Sequence, residues 1–263
     1  MTRFFNAAVR RGLPLLAIAI GAVSPARATL LPQSWNGYHW AHTGNLAIMI
    51  GNNASAAWAP YLAAAETKWS ADKYIDYLPK AGMTSASSCG AVYGTVQVCS
   101  SNYGATGWLG YTQVWTSGTQ IIQATIKLND YYFSQTKYNN AAFHQQVACQ
   151  EMGNALGLDD LDHIYTNINA GTCMDYTNDP TGTKGTNGTR ANTTTDATDI
   201  SRLDAIYAIK DSTQLIYTKP GMFGNAQAVA GGVPEPSSWM TMIVGFLGLG
   251  LSLRRSRKAA VPA

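Results

Sequence analysis

The chain has 263 residues, 46% of them apolar and only 13% charged, with a formal net charge of +3, which is enough for one sizeable globular domain. The positive charge sits at the ends: residues 1–28 and 234–263 hold eight of the eighteen Lys and Arg and one of the fifteen Asp and Glu, leaving ten against fourteen between them. That acidic balance excludes the broad basic face of a nucleic-acid binder, and no nucleic-acid partner is expected.

In chain order, Met1–Ala28 opens with Arg3, Arg10 and Arg11, continues through an apolar run from Gly12 to Val23 and ends in Ala26-Arg27-Ala28. This is the pattern of a secretory signal with a small-x-small cleavage site, so export is expected. An aromatic segment follows (Trp35, Tyr38, Trp40), in which His39 and His42 read as packing or surface residues. LAIMIG (46–51) reads as a buried strand, and Ser55 as the cap of a helix through Trp69 with Trp58, Leu62, Ala65 and Trp69 as its apolar stripe. Strands are predicted at 73–79, 94–100, 107–115 and 119–130, the last two joined through Ser117-Gly118. A helix from Asn140 to Leu156 is stopped by Gly157. Residues 177–199, nearly all Thr, Asn, Gly and Asp, read as a solvated loop, and a last helix carries Ile200, Leu203, Ile206 and Tyr207 with Asp196 or Asp199 as its cap. Residues 219–232 read as a linker rich in Gly and Ala. The whole is an α/β layered domain over 29–218.

The C-terminal segment, 233–263, runs Val233-Pro234-Glu235-Pro236-Ser237, then an apolar stretch from Trp239 to Leu253, then Arg254, Arg255, Arg257 and Lys258. The apolar stretch is short for a bilayer span, which needs ~20 residues, and the basic cluster would keep the end on the cytoplasmic side. Four cysteines, Cys89, Cys99, Cys149 and Cys173, in an exported chain point to disulfides, and four allow three pairings.

The chemistry-bearing stretch is CQEMGNALGLDD (149–160). Gln150 and Asn154 are four apart and share one helix face, with Glu151 beside the first. Gly157 allows a sharp turn, after which Asp160 swings back toward that face. Two helical ligands, a base and a third ligand after the helix surround a metal ion in this way.

The spacing Gln150-Glu151-x-x-Asn154-x-x-Gly157-x-x-Asp160 resembles the metzincin zinc-protease motif H-E-x-x-H-x-x-G-x-x-H, in its matrixin and snapalysin-type form, and Met174 in TCMDY resembles the Met-turn. LGYTQVW, IKLNDYYF, GTCMDYTNDP and LDAIY resemble segments of secreted bacterial metzincin-like proteins. The resemblance implies an α/β (α+β) fold with a mixed, mostly parallel twisted sheet, an active-site helix, a Met-turn and a C-terminal helix. It also implies zinc as the cofactor, Glu151 as general base, Tyr176 near the metal, and extended peptide substrates pairing as an extra strand along GWLGYTQVW. Met174 beneath the helix brings Cys173 to Cys149, leaving Cys89 to close a hairpin with Cys99.

The ligand positions depart from the motif. Gln150 and Asn154 stand where two imidazoles belong, and carboxamide oxygens are weak, neutral zinc donors, so zinc binding is expected to be weak or absent. Asp160 in the third place is tolerable. His163 is a possible rescue ligand with Asp160, Asp162 and Asn154, an oxygen-rich set that suits calcium or manganese as well as zinc. His144 lies two helical turns from Glu151, too far to share a shell with it. Three readings stay open: a metzincin-like binding or matrix protein with a silenced site, an active metal-dependent endopeptidase with an unusual ligand set, and a purely structural domain. Pro-Glu-Pro, the short apolar run and the basic end resemble the PEP-CTERM sorting signal of exosortase substrates. That implies transient membrane anchoring through 239–253 and delivery to the cell surface, outer membrane or extracellular matrix of a Gram-negative bacterium.

Overall fold

The computed structural model describes residues 34–184 and 188–212, together with the backbone of residues 227–234. The expected secretory signal, the apolar run 239–253 and the basic tail lie outside the described residues, and among those described no helix is long and apolar enough to cross a membrane. In chain order the elements are β1 (His39–Trp40), β2 (Leu46–Asn53), α1 (Ala59–Trp69), β3 (Ile75–Ala81), β4 (Thr95–Ser101), β5 (Trp108–Ser117), β6 (Gln120–Asn129), α2 (Asp130–Phe133), α3 (Ala141–Ala155), α4 (Ala197–Tyr207) and β7 (Gln227–Pro234).

The strands form one sheet in the order β3-β2-β4-β6-β5-β7, with β1 also on β6. The pairs β2–β3, β2–β4, β4–β6 and β1–β6 are parallel, whereas β5 runs antiparallel to both neighbours. The α/β class and the mostly parallel sheet are thus as expected. Central β4 is buried at six consecutive positions, as a parallel strand covered on both faces must be. β5 alternates buried and half-buried residues, as an antiparallel strand with one covered face does. Gly118, with φ +62°, makes the tight turn from β5 to β6.

Helices α1 and α3 pack together against the sheet, α1 through Leu62, Ala65 and Trp69. Twelve of the fifteen α3 residues are buried, so its polar side chains and its last carbonyls all need partners inside the protein. Asn140 caps its start by accepting from the Phe143 amide at 3.1 Å. At its end the carbonyls of Met152, Ala155 and Leu156 accept from Tyr77 Oη (2.8 Å), Trp40 Nε1 (2.8 Å) and Tyr207 Oη (2.9 Å). Strands on one side and α4 on another therefore clamp the end of the helix that carries the motif.

Several expectations need correction. Helix α1 starts after Trp58 rather than at Ser55, because residues 55–58 form a turn and Pro60 lies in the first helical turn. Thr177, Asp179 and Asn192 in the presumed solvated loop are buried: Thr177 donates to Asn169 Oδ1 at 2.7 Å and Asn192 to Asp175 Oδ2 at 2.7 Å. The stretch is thus partly solvated, with Thr181, Thr183, Lys184, Thr189, Arg190 and Ala191 exposed, and partly an internal hydrogen-bond network. Residues 227–232, read as the end of a linker, run as part of β7 along β5.

Candidate active site

Gln150 and Asn154 lie on one face of α3, both buried. The helix ends at Gly157, whose φ of +91° places it in the left-handed region. A Cβ at Gly157 would also meet the Tyr38 carbonyl oxygen at 1.9 Å, so close backbone approach and conformation both demand glycine. The chain then turns back, and Asp160 reaches the face it was expected to reach.

What it meets there is not a vacant ligand set. Gln150 Nε2 donates to Asp160 Oδ1 at 2.6 Å, and Asn154 Nδ2 donates to the same oxygen at 3.3 Å and to the Leu158 carbonyl at 3.1 Å. Gln150 Oε1 in turn accepts from Gln146 Nε2 at 2.6 Å. The three positions thus converge as two donors on one shared acceptor, held by a chain of amides running back along the helix. Burial pushes the Asp160 carboxyl up to about 6, against the opposing pull of the Gln150 and Asn154 hydrogen bonds and the nearby His163.

Tyr176 also comes to this centre. Its hydroxyl hydrogen-bonds to Asp160 and is raised well above the usual phenol range, first by burial and then by the charges of Asp160 and Glu151. Met174 lies directly beneath the helix, where a Cβ on Gly153 would stand 2.4 Å from its Sδ and 2.6 Å from the Trp69 ring. The turn carrying Met174 is pinned from two sides. Leu161 N donates to the Met174 carbonyl at 2.8 Å, and Thr172 donates its hydroxyl to Asp199 in the capping box of α4. Arg202 of α4 donates to the Asp159 carbonyl at 2.6 Å and pairs with Asp199 at 3.4 Å, fixing the loop beside Asp160. A disulfide joins Cys149 to Cys173, so the helix and the Met174 turn are covalently linked, and a second joins Cys89 to Cys99.

Glu151 points elsewhere, under β5. Thr112 Oγ1 donates to its Oε2 at 2.5 Å and to its carbonyl at 3.0 Å. A Cβ on Gly110 would stand 2.5 Å from Glu151 Oε1, so the carboxylate occupies the space this glycine leaves in the strand. Thr112, Gly110 and Gln146 were not picked out from the sequence. Gln146 and Gln150 do stand four apart on one helix face, a signal that could have been read, but nothing local connects Thr112 and Gly110 to Glu151.

The histidines lie around the Gln150, Asn154 and Asp160 network as follows. His144 packs among Tyr61, Trp58 and Phe133, with ring centroids 5.0, 4.6 and 4.4 Å away. His42 is buried against Tyr207, and His39 lies 3.3 Å from Asp211. His163 is exposed, its ring centroid 5.1 Å from that of Tyr176. Asp162 accepts from Ile164 N at 2.7 Å and from the Asn167 amide rather than turning toward Asp160. Among the described residues no three His, Cys, Asp or Glu side chains group as a metal site would require. A zinc ion does not fit the donors that are present: an amide N–H cannot ligate a cation, and the Gln150 oxygen is already engaged.

No family model matches the chain, and no curated protein matches it. Among solved structures it is similar to High choriolytic enzyme 1, a hatching enzyme zinc-protease from the medaka fish Oryzias latipes. That match has a TM-score of 0.38 at 11% identity and covers 66% of this chain and 94% of the other. A likeness so distant says nothing of the residues at the site.

Proposed function

We propose that this is an exported, metzincin-like protein that binds extended peptides at the cell surface or in the extracellular matrix without cleaving them. The observation that carries the reading is the pair of hydrogen bonds from Gln150 and Asn154 to one oxygen of Asp160. For a metal to enter, both amides would have to turn over and give up bonds to a charged acceptor, each worth ~1.5–3 kcal/mol. In exchange they would offer only weak, neutral oxygens. The hydrogen bonds take over the tie between helix and following loop that a zinc ion would make. Without a polarising ion, Glu151 has no activated water to deprotonate, and it is bonded to Thr112 instead.

Export, sorting by an exosortase and transient anchoring through residues 239–253 belong to the same proposal. They are supported by the two terminal sequence patterns. Peptide binding is supported by the ten-residue β5, whose outer backbone edge, paired here with β7, could take an added strand in its place without any metal.

The test is to put the imidazoles back. A chain with both Gln150→His and Asn154→His is expected to take up zinc that the unsubstituted chain does not hold, while the unsubstituted chain leaves casein intact. Caseinolysis by the unsubstituted protein that is lost on Glu151→Gln would establish the active-endopeptidase reading instead.

A further inference from the structure

The two edges of the core sheet differ in a way that calls for explanation. On one side, β3 carries Pro79 and exposed Lys80 just before its last residue, devices that discourage another strand from pairing there. On the other, β5 offers ten residues, Trp108–Ser117, with neither proline nor charge. Tyr111, Gln113 and Trp115 lie half-buried along one face of it, and Trp108 stacks on Tyr111 with centroids 5.4 Å apart. An unprotected edge of this kind needs an occupant.

Its occupant is the chain's own β7, antiparallel from Gln227 opposite Thr116 to Pro234 opposite Trp108. This segment, QAVAGGVP, is a poor strand: two alanines and two adjacent glycines occupy its interior. Gly231 and Gly232 face Thr112 and Tyr111, and Val233 faces Gly110 across a register shift. Pairing is therefore weakest over the stretch of β5 that covers Glu151. Fourteen residues, 213–226, join it to Ser212, so a displaced β7 stays tethered at high effective concentration. Pro234, its last paired residue, is also the first proline of Pro234-Glu235-Pro236.

We propose that residues 227–234 are a built-in, displaceable stand-in for the peptide at the outer edge of β5, holding the place of an uncharged extended strand with apolar residues at alternate positions. The proposal rests on the peptide-binding reading above and adds to it a self-occupied edge that opens only when a stronger strand competes. Occupancy of β5 in the intact chain is an intramolecular contact, and affinity for a peptide in trans is lowered by the fraction of time β7 is in place.

The experiment compares three full-length chains in EDTA by fluorescence anisotropy. The probe is a labelled octapeptide of the 227–234 sequence with valine at both alanine positions. One chain is unsubstituted. The second carries Ala230→Pro and Gly231→Pro, which remove backbone donors from β7. The third carries Gln113→Cys and Ala230→Cys, directly opposed positions that cross-link β7 in place. The proline chain is expected to bind the probe roughly tenfold or more tightly than the unsubstituted chain, and the cross-linked chain is expected not to bind. Should the proline chain fold poorly, the unsubstituted and cross-linked chains still decide, because only the former should bind at high probe concentration. Equal binding by all three, binding by the cross-linked chain, or dimerisation of the proline chain in place of peptide binding would overturn the proposal. Because the assay is metal-free, a zinc-dependent caseinolytic activity would sink the silent-site reading and leave this result standing, while equal binding would sink the edge alone.

Discussion

Asp160 is a hydrogen-bond hub, accepting from both Gln150 and Asn154, and its titration follows from its burial there. Burial raises its carboxyl from 3.8 to about 6, so the folded chain holds the proton more tightly than the unfolded chain does. Its stabilising contribution is fully present below about pH 3.8 and fades as pH rises through about 6, an effect on the order of 3 kcal/mol. An Asp160→Asn chain keeps an oxygen to accept from Gln150 and Asn154 and loses this titration. Urea unfolding from pH 7.5 to pH 4 should show the original protein gaining stability relative to Asp160→Asn as pH falls. A constant difference would mean that Asp160 is not buried as described. The convergence of Gln150, Asn154 and Asp160 was legible because helical spacing and a terminal glycine are local signals. Their mutual hydrogen bonds were not, since spacing alone does not say whether an amide turns its oxygen or its nitrogen inward. Thr112 and Gly110 were invisible for another reason: they reach Glu151 across the sheet, thirty-nine residues away in the case of Thr112.

At the scale of elements, α3 is held from every side, and each tie can be cut separately. Tyr77→Phe leaves the Met152 carbonyl buried without its donor and should cost ~1–3 kcal/mol by denaturant unfolding. Gly153→Ala drives a methyl group into Met174 and Trp69 and should cost ~1–3 kcal/mol. Replacing Cys149 and Cys173 by alanine opens a link over a sequence separation of 24 and should cost ~3–4 kcal/mol. If that loss is negligible, the bridge is not what pins the Met174 turn. The long periodic elements, β2 to β6, α3 and α4, could be read from apolar pattern and caps. Two-residue β1 and one-turn α2 could not, because such short segments carry no period. Residues 227–234 could not either, since Ala and Gly give no strand signal and only the unprotected edge of β5 gives them a partner.

At the scale of the whole molecule, a mostly parallel sheet, a buried helix and a turn beneath it bring Gln150, Asn154 and Asp160 together in a hydrogen-bonded centre. In the proposed function this network stands in place of an ion. The deciding measurement is the metal content of the full-length protein, purified without chelators, by plasma mass spectrometry alongside zinc titration calorimetry. Well under one zinc per chain is expected, with no saturable uptake until imidazoles are placed at positions 150 and 154. One tightly held transition-metal ion per chain, lost when Gln150 or Asn154 is replaced by alanine, would contradict it.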